Sequence, residues 1–195
     1  MVKNETLKKF FEKYWSLFGF VLAMASISWI IIHRDTFMRN HFWMLWAFIP
    51  MLMLHNFEES FFPGNFLSWF NRICFQSNQD YYPSKKTPAA VFSIINCWIL
   101  TLIAALIAEH FIYLAVIMVF FFIQNAWMHI SYTLSSKYSP GAITSFVLLA
   151  PFGGYILYTL IATGKVNIVT LIIGYLVGSL LHYNMFFMIR KLQKK

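Results

Sequence analysis

The chain has 195 residues, of which 59% are apolar, 20% aromatic and only 11% charged, with a formal net charge of +8. So few charges cannot clothe a soluble surface, which excludes an ordinary soluble enzyme and points to an integral membrane protein. The positive balance needs no nucleic acid, because topology and attraction of basic segments to anionic headgroups account for it.

In chain order, Tyr14 to Ile32 is the first apolar run, and its 19 residues have the length of a membrane span. Lys3, Lys8, Lys9 and Lys13 precede it, and Ala23-Met24-Ala25 loosely imitates a signal-peptidase site. The run continues well past that site, so the segment is expected to stay as an anchor. The second run, Phe42 to Leu54, reaches spanning length only if the helix continues past His55, over about residues 42–60. That would place Glu58 and Glu59 at or just inside the interface. The segment that follows carries Phe66, Trp69, Phe70 and Ile73 at helical offsets. It is expected on the cytoplasmic interface, either framing lateral access for a lipid or anchoring as an aromatic belt.

Four further runs follow at about 89–108, 111–134, 142–162 and 166–189, giving an all-α, polytopic bundle of about six transmembrane helices in one domain. Pro50 and Pro151 are expected to kink the second and fifth helices, with Gly153 and Gly154 loosening the fifth further. No repeat or low-complexity tract interrupts the pattern.

Threading six spans puts Lys3, Lys8, Lys9, Lys13, Arg72, Lys85, Lys86, Lys137, Arg190, Lys191, Lys194 and Lys195 on one side, and Arg34, Arg39 and Lys165 on the other. The positive-inside rule then makes both termini cytoplasmic. Cys74 falls in a loop and Cys97 inside the third span, so neither a disulfide nor a ligand pair is expected.

Three histidines stand out against this background, each in a short polar motif: His55-Asn-Phe-Glu58-Glu59, Asn125-Ala-Trp-Met-His129 and Gly178-Ser-Leu-Leu-His182. Ionisable groups inside a membrane are expensive and usually face the bundle interior, where they mark functional sites. The second, fourth and sixth spans run in one direction. His129 lies eight residues before Lys137 and His182 eight before Arg190, about 12 Å short of the first cation at 1.5 Å per residue. His55, counted from the outer end, falls within about a helical turn of the same depth. Asn125 shares a face with His129, and His55 with Glu58 and Glu59. Gly178 leaves room one turn below His182 for a neighbouring helix or a ligand. His33, His41 and His110 cluster at outer loop positions, where a structural role is expected.

With the motifs HNFEE, NAWMH and GSLLH, the chain resembles the HXXEE family of bacterial membrane proteins, over residues 55 to 182. The resemblance implies a multi-pass protein of a bacterial inner membrane; it names residues without naming a reaction. The chemistry follows from the groups. Three imidazoles and a carboxylate form a first shell for one divalent ion, Zn²⁺ as first choice, with Fe²⁺ or Mn²⁺ also suited. Metal ligands are expected at His55, Glu59, His129 and His182. Glu58 is expected as general base, with the two glutamates interchangeable in role, and Asn125 as orienting group. A water activated by the metal suits a hydrolase acting on a lipid or other hydrophobic substrate at the cytoplasmic leaflet.

Two alternatives stand beside it. One is metal-free His/Glu acid-base catalysis on a lipid, similar to the sterol isomerases of the emopamil-binding class. The other is a proton or metal-ion pathway, against which the apolar outer halves of these spans count. Gly174 and Gly178 mark a helix contact, within the bundle or between protomers, so the oligomeric state stays open.

Overall fold

Within a bilayer the backbone of an apolar run must satisfy its own hydrogen bonds, and a helix does so within one segment. In a computed structural model of the chain, which describes residues 2–40, 42–135 and 138–193, every regular element is helical. His41, Lys137, Lys194 and Lys195, which entered the topological argument, lie outside the described residues.

Helix α1 spans Val2–Ile32, and a short turn, α2, spans Arg34–Phe37. Helix α3 spans Trp43–Ser60 and α4 begins at Phe66–Trp69, running on as a wide π turn over Phe70–Cys74. Helices α5 (Lys86–Ile107), α6 (Ile112–Ser135) and α7 (Ala142–Ala162) follow, and α8 spans Ile168–Gln193. Among the described residues, four helices are long and apolar enough to cross a membrane: α1, α5, α6 and α7. Helix α8 carries a shorter apolar stretch, Ile168–Asn184. Helix α3 has 18 residues, but its last turns carry His55, Asn56, Glu58 and Glu59, all buried.

The helix runs unbroken through Pro50. Pro151, by contrast, follows directly on a π-helical turn at Ser145–Leu149. A residue without an N–H leaves the preceding carbonyls to find donors further along, and the turn widens to supply them.

The core between α3, α6 and α7 is built from Phe48, Leu52, Val116, Phe122, Leu149 and Ile156, each sealed from solvent. Helices α6 and α8 run parallel: a Cβ built on Gly174 would meet Val116, one on Gly178 would meet the backbone of Ile117 and Phe121, and the ring of His182 reaches Phe121. The two glycines therefore bring α8 against α6 within the chain, at separations that no larger residue permits. Helices α3 and α6 are parallel too, because His55 meets Asn125 and, four residues on, Glu59 meets His129.

Candidate metal centre

The centre forms where these parallel helices bring their polar turns together. His55, Glu59 and His129, all buried, each offer one donor atom, and these atoms lie within 4.8 Å of one another. Glu59 Oε1 is the hub, 3.2 Å from His129 Nε2 and 3.5 Å from His55 Nε2. Two ligands bound tetrahedrally at zinc-type distances stand about 3.3 Å apart, so both separations fit a shared ion.

Each donor is held from behind. The other oxygen of Glu59 accepts from the Asn56 amide at 3.0 Å, and Asn56 Oδ1 accepts from the Trp98 indole of α5 at 3.0 Å. His129 Nδ1 lies 2.8 Å from Ser139 Oγ, and His55 Nδ1 lies 2.8 Å from Thr144 Oγ1. Thr144 gives its hydroxyl proton to Glu58 Oε2 at 2.6 Å, so its oxygen accepts from His55 Nδ1–H. A neutral His55 then presents a lone pair at Nε2, facing Glu59 Oε1 and, at 3.2 Å, Asn125 Oδ1. These neighbouring acceptor atoms can be bridged either by a shared proton or by a metal ion. His129 Nε2 is buried without a hydrogen-bond partner despite its nearness to Glu59.

Glu58 has a different position from the base expected in the sequence. Its two oxygens accept from Tyr138 OH at 2.7 Å, from the backbone N–H groups of Ile143 at 3.0 Å and Thr144 at 2.7 Å, and from the Thr144 hydroxyl. The carboxylate thus caps the start of α7, where free N–H groups and the helix dipole favour an anion. Burial and the neighbouring carboxylate push the Tyr138 phenol up, keeping it a donor at neutral pH. Gly141 completes the lid. At φ +102° it adopts a left-handed conformation, and a Cβ there would stand 2.8 Å from His129 Cε1 and 2.9 Å from His55 Cε1.

Of the residues singled out in the sequence, His55, Glu59, His129 and Asn125 are together, and Glu58 adjoins them through Thr144. His182 is not in the donor group. It is buried, its ring set against Phe121, Tyr183 and Phe186, and neither ring nitrogen has a partner among the described residues. The α4 segment turns its aromatic face inward: Phe66 lies 5.1 Å from the His129 ring, Trp69 stacks on that ring at 6.4 Å, and Phe70 is buried. Cys74 and Cys97 are free thiols, and burial pushes the Cys74 thiol up to about 11.

Thr144, Ser139, Tyr138, Gly141 and Asn56 went unnoticed in the sequence. The one signal was Ser139-Pro140-Gly141 directly before an apolar run, a turn pattern whose glycine marks special backbone geometry.

The family described as "Protein of unknown function with HXXEE motif" matches residues 46–156, more than half of the chain. No curated protein and no solved structure matches.

Proposed function

The chain belongs to the HXXEE family, and from that premise we propose that it is a metal-dependent membrane enzyme, a hydrolase of a lipid or other hydrophobic substrate. It crosses a bacterial inner membrane six times with both termini in the cytoplasm, so that α3, α6 and α8 bring their polar ends to the cytoplasmic leaflet. One divalent ion, zinc as first choice, is held by His55 Nε2, Glu59 Oε1 and His129 Nε2. The observation that carries this is the pairing of tetrahedral donor spacing with Nδ1 atoms anchored from behind.

Two histidines, one glutamate and an open position form the donor set of catalytic rather than structural zinc sites. When bound, the ion activates water and polarises a carbonyl. Asn125 Oδ1, on the same side as the His55 lone pair, orients that water. Glu58 holds Thr144 and so keeps the His55 tautomer that leaves Nε2 free. The buried apolar wall of Phe48, Leu52, Val116 and Phe122 closes the bundle beyond the site, which favours chemistry over transport.

Metal analysis of purified protein never exposed to chelator tests the proposal. Near-stoichiometric zinc, iron or manganese is expected, lost in His55→Ala, Glu59→Gln and His129→Ala while helix content is kept. Wild-type protein free of metal would overturn it. The 3.2 Å separation of Glu59 and His129 is also short enough for proton transfer between them once they align, which favours metal-free lipid isomerisation as the second reading. Activity unaffected by chelation identifies that case.

A further inference from the structure

His182 is the buried ionisable group that the metal centre leaves over. Its side chain is 4% exposed, yet neither Nδ1 nor Nε2 has a hydrogen-bond partner among the described residues. Leaving such a group unpaired is costly, so a buried histidine with two orphaned nitrogens is suited to a partner from outside the chain. It lies near the level of the centre. Gln124 bonds Ser179 across the same parallel pair of helices, three residues before His182, which sets His182 at about the level of residue 127, between Asn125 and His129.

Its surroundings say what that partner is. The rings of Phe121, Tyr183 and Phe186 surround it, at 5.7, 5.6 and 5.4 Å between centroids. Phe186 in turn packs on Phe70 of α4, at 5.4 Å, and Phe70 on Phe66, which touches the His129 ring. One continuous aromatic wall therefore joins His182 to the metal centre. The same wall holds a second orphan, the indole N–H of Trp69, sealed from solvent and without a partner among the described residues, on a ring stacked over His129. An indole nitrogen is a donor only, and a neutral imidazole has one N–H to give. Two uncharged donors in an apolar wall match an uncharged oxygen acceptor attached to a hydrocarbon chain.

We propose that the aromatic seam between α4, α6 and α8 binds the acyl portion of a neutral lipid ester or amide, with His182 and Trp69 as its hydrogen-bond donors. The assignment rests on the reading of the neighbouring centre as acting on a lipid acyl bond. It makes His182 a substrate-binding residue rather than a fourth metal ligand. The lipid enters beside Leu181, Tyr183 and Phe187, which face outward from α8.

The test measures equilibrium binding of three probes, N-palmitoylethanolamine, methyl palmitate and hexadecane, to detergent-solubilised full-length protein as purified. The amide and ester should bind more tightly than the alkane, which lacks the carbonyl. His182→Phe and Trp69→Phe, which keep an aromatic ring and delete a donor, should each weaken the carbonyl probes about five- to tenfold, the loss of one hydrogen bond, and leave hexadecane far less affected. His182→Gln retains a donor and should recover part of the loss, which covers the case of a misfolded phenylalanine variant. A dominant effect on the amide over the ester, or the reverse, identifies which acyl bond is bound. Unchanged binding in both deletions overturns the proposal. Loss of bound metal in His182→Phe also overturns it, by making His182 a ligand, while leaving the metal centre standing. Donor-dependent binding in a protein that carries no metal upholds the seam and overturns the metal reading instead.

Discussion

Glu58 and Glu59 are neighbours in the chain, and one residue of helix turns a side chain by about 100°. The two carboxylates therefore diverge, on either side of the face that carries His55. Glu59 takes the centre, while Glu58 faces the start of α7 and accepts four hydrogen bonds there. Its charge organises the site at second hand, through Thr144 to His55 Nδ1. Glu58→Gln keeps the shape but brings an NH₂ against groups that already donate. Such changes behind a metal ligand typically weaken metal affinity about 10- to 100-fold. Zinc titration of the variant should show a weaker site of unchanged stoichiometry; an unaltered affinity would mean the tautomer is set elsewhere. Gly141→Ala acts from the other side, forcing a side chain into a left-handed backbone and against both imidazoles. Backbone strain of this kind costs about 1–3 kcal/mol, so thermal unfolding in detergent should fall and metal content with it. Neither role was visible in the sequence. Serine, threonine and tyrosine are common residues, and nothing in their spacing announces that a loop folds back over a histidine pair.

At the scale of the element, counting along helices set His55 and His129 at one level, because rise per residue is fixed. The pairs His55 with Asn125 and Glu59 with His129, each four residues apart on its own helix, are the outcome of that regularity. Depth is one coordinate, however, and azimuth is the other. Sequence placed His182 at the level of the other two histidines, but the rotation of α8 is set by Gly174 and Gly178 seating on Val116, Ile117 and Phe121. That rotation turns the ring into aromatic packing instead of the donor group. Gly178→Val tests this docking. Its side chain would fall within 2.9 to 3.0 Å of Ile117 and Phe121 backbone atoms, which cannot yield as a side-chain tip can. Overpacking typically costs about 1–3 kcal/mol, so α8 should detach or shift with lowered thermal stability. Metal content should survive, since no ligand sits on α8. Joint loss of metal would show that α8 supports the centre after all.

For the whole molecule, the centre links elements far apart in the chain. Its donors sit on α3 and α6, the loop before α7 covers them, and Trp98 braces Asn56 from α5. A buried carboxylate facing a ring nitrogen of His55 and of His129 is stabilised by a proton or a metal cation held among them. Metal binding is then linked to the packing of the bundle, because an ion that binds the folded protein and not the unfolded chain adds RT ln(1 + [L]/Kd) to stability. At a free concentration 100 times Kd, that is about 2.7 kcal/mol. Thermal unfolding of chelated protein should therefore shift upward as zinc is added back, in proportion to the logarithm of its concentration once the site is saturated. His55→Ala and His129→Ala should abolish the shift. Glu58→Gln should move the same dependence to higher zinc without abolishing it, since it weakens the ligands' support and removes none of them. A wild-type transition that ignores zinc across that range would mean that the three donors share a proton rather than a metal. The choice between hydrolysis and metal-free acid-base chemistry would then turn to the second.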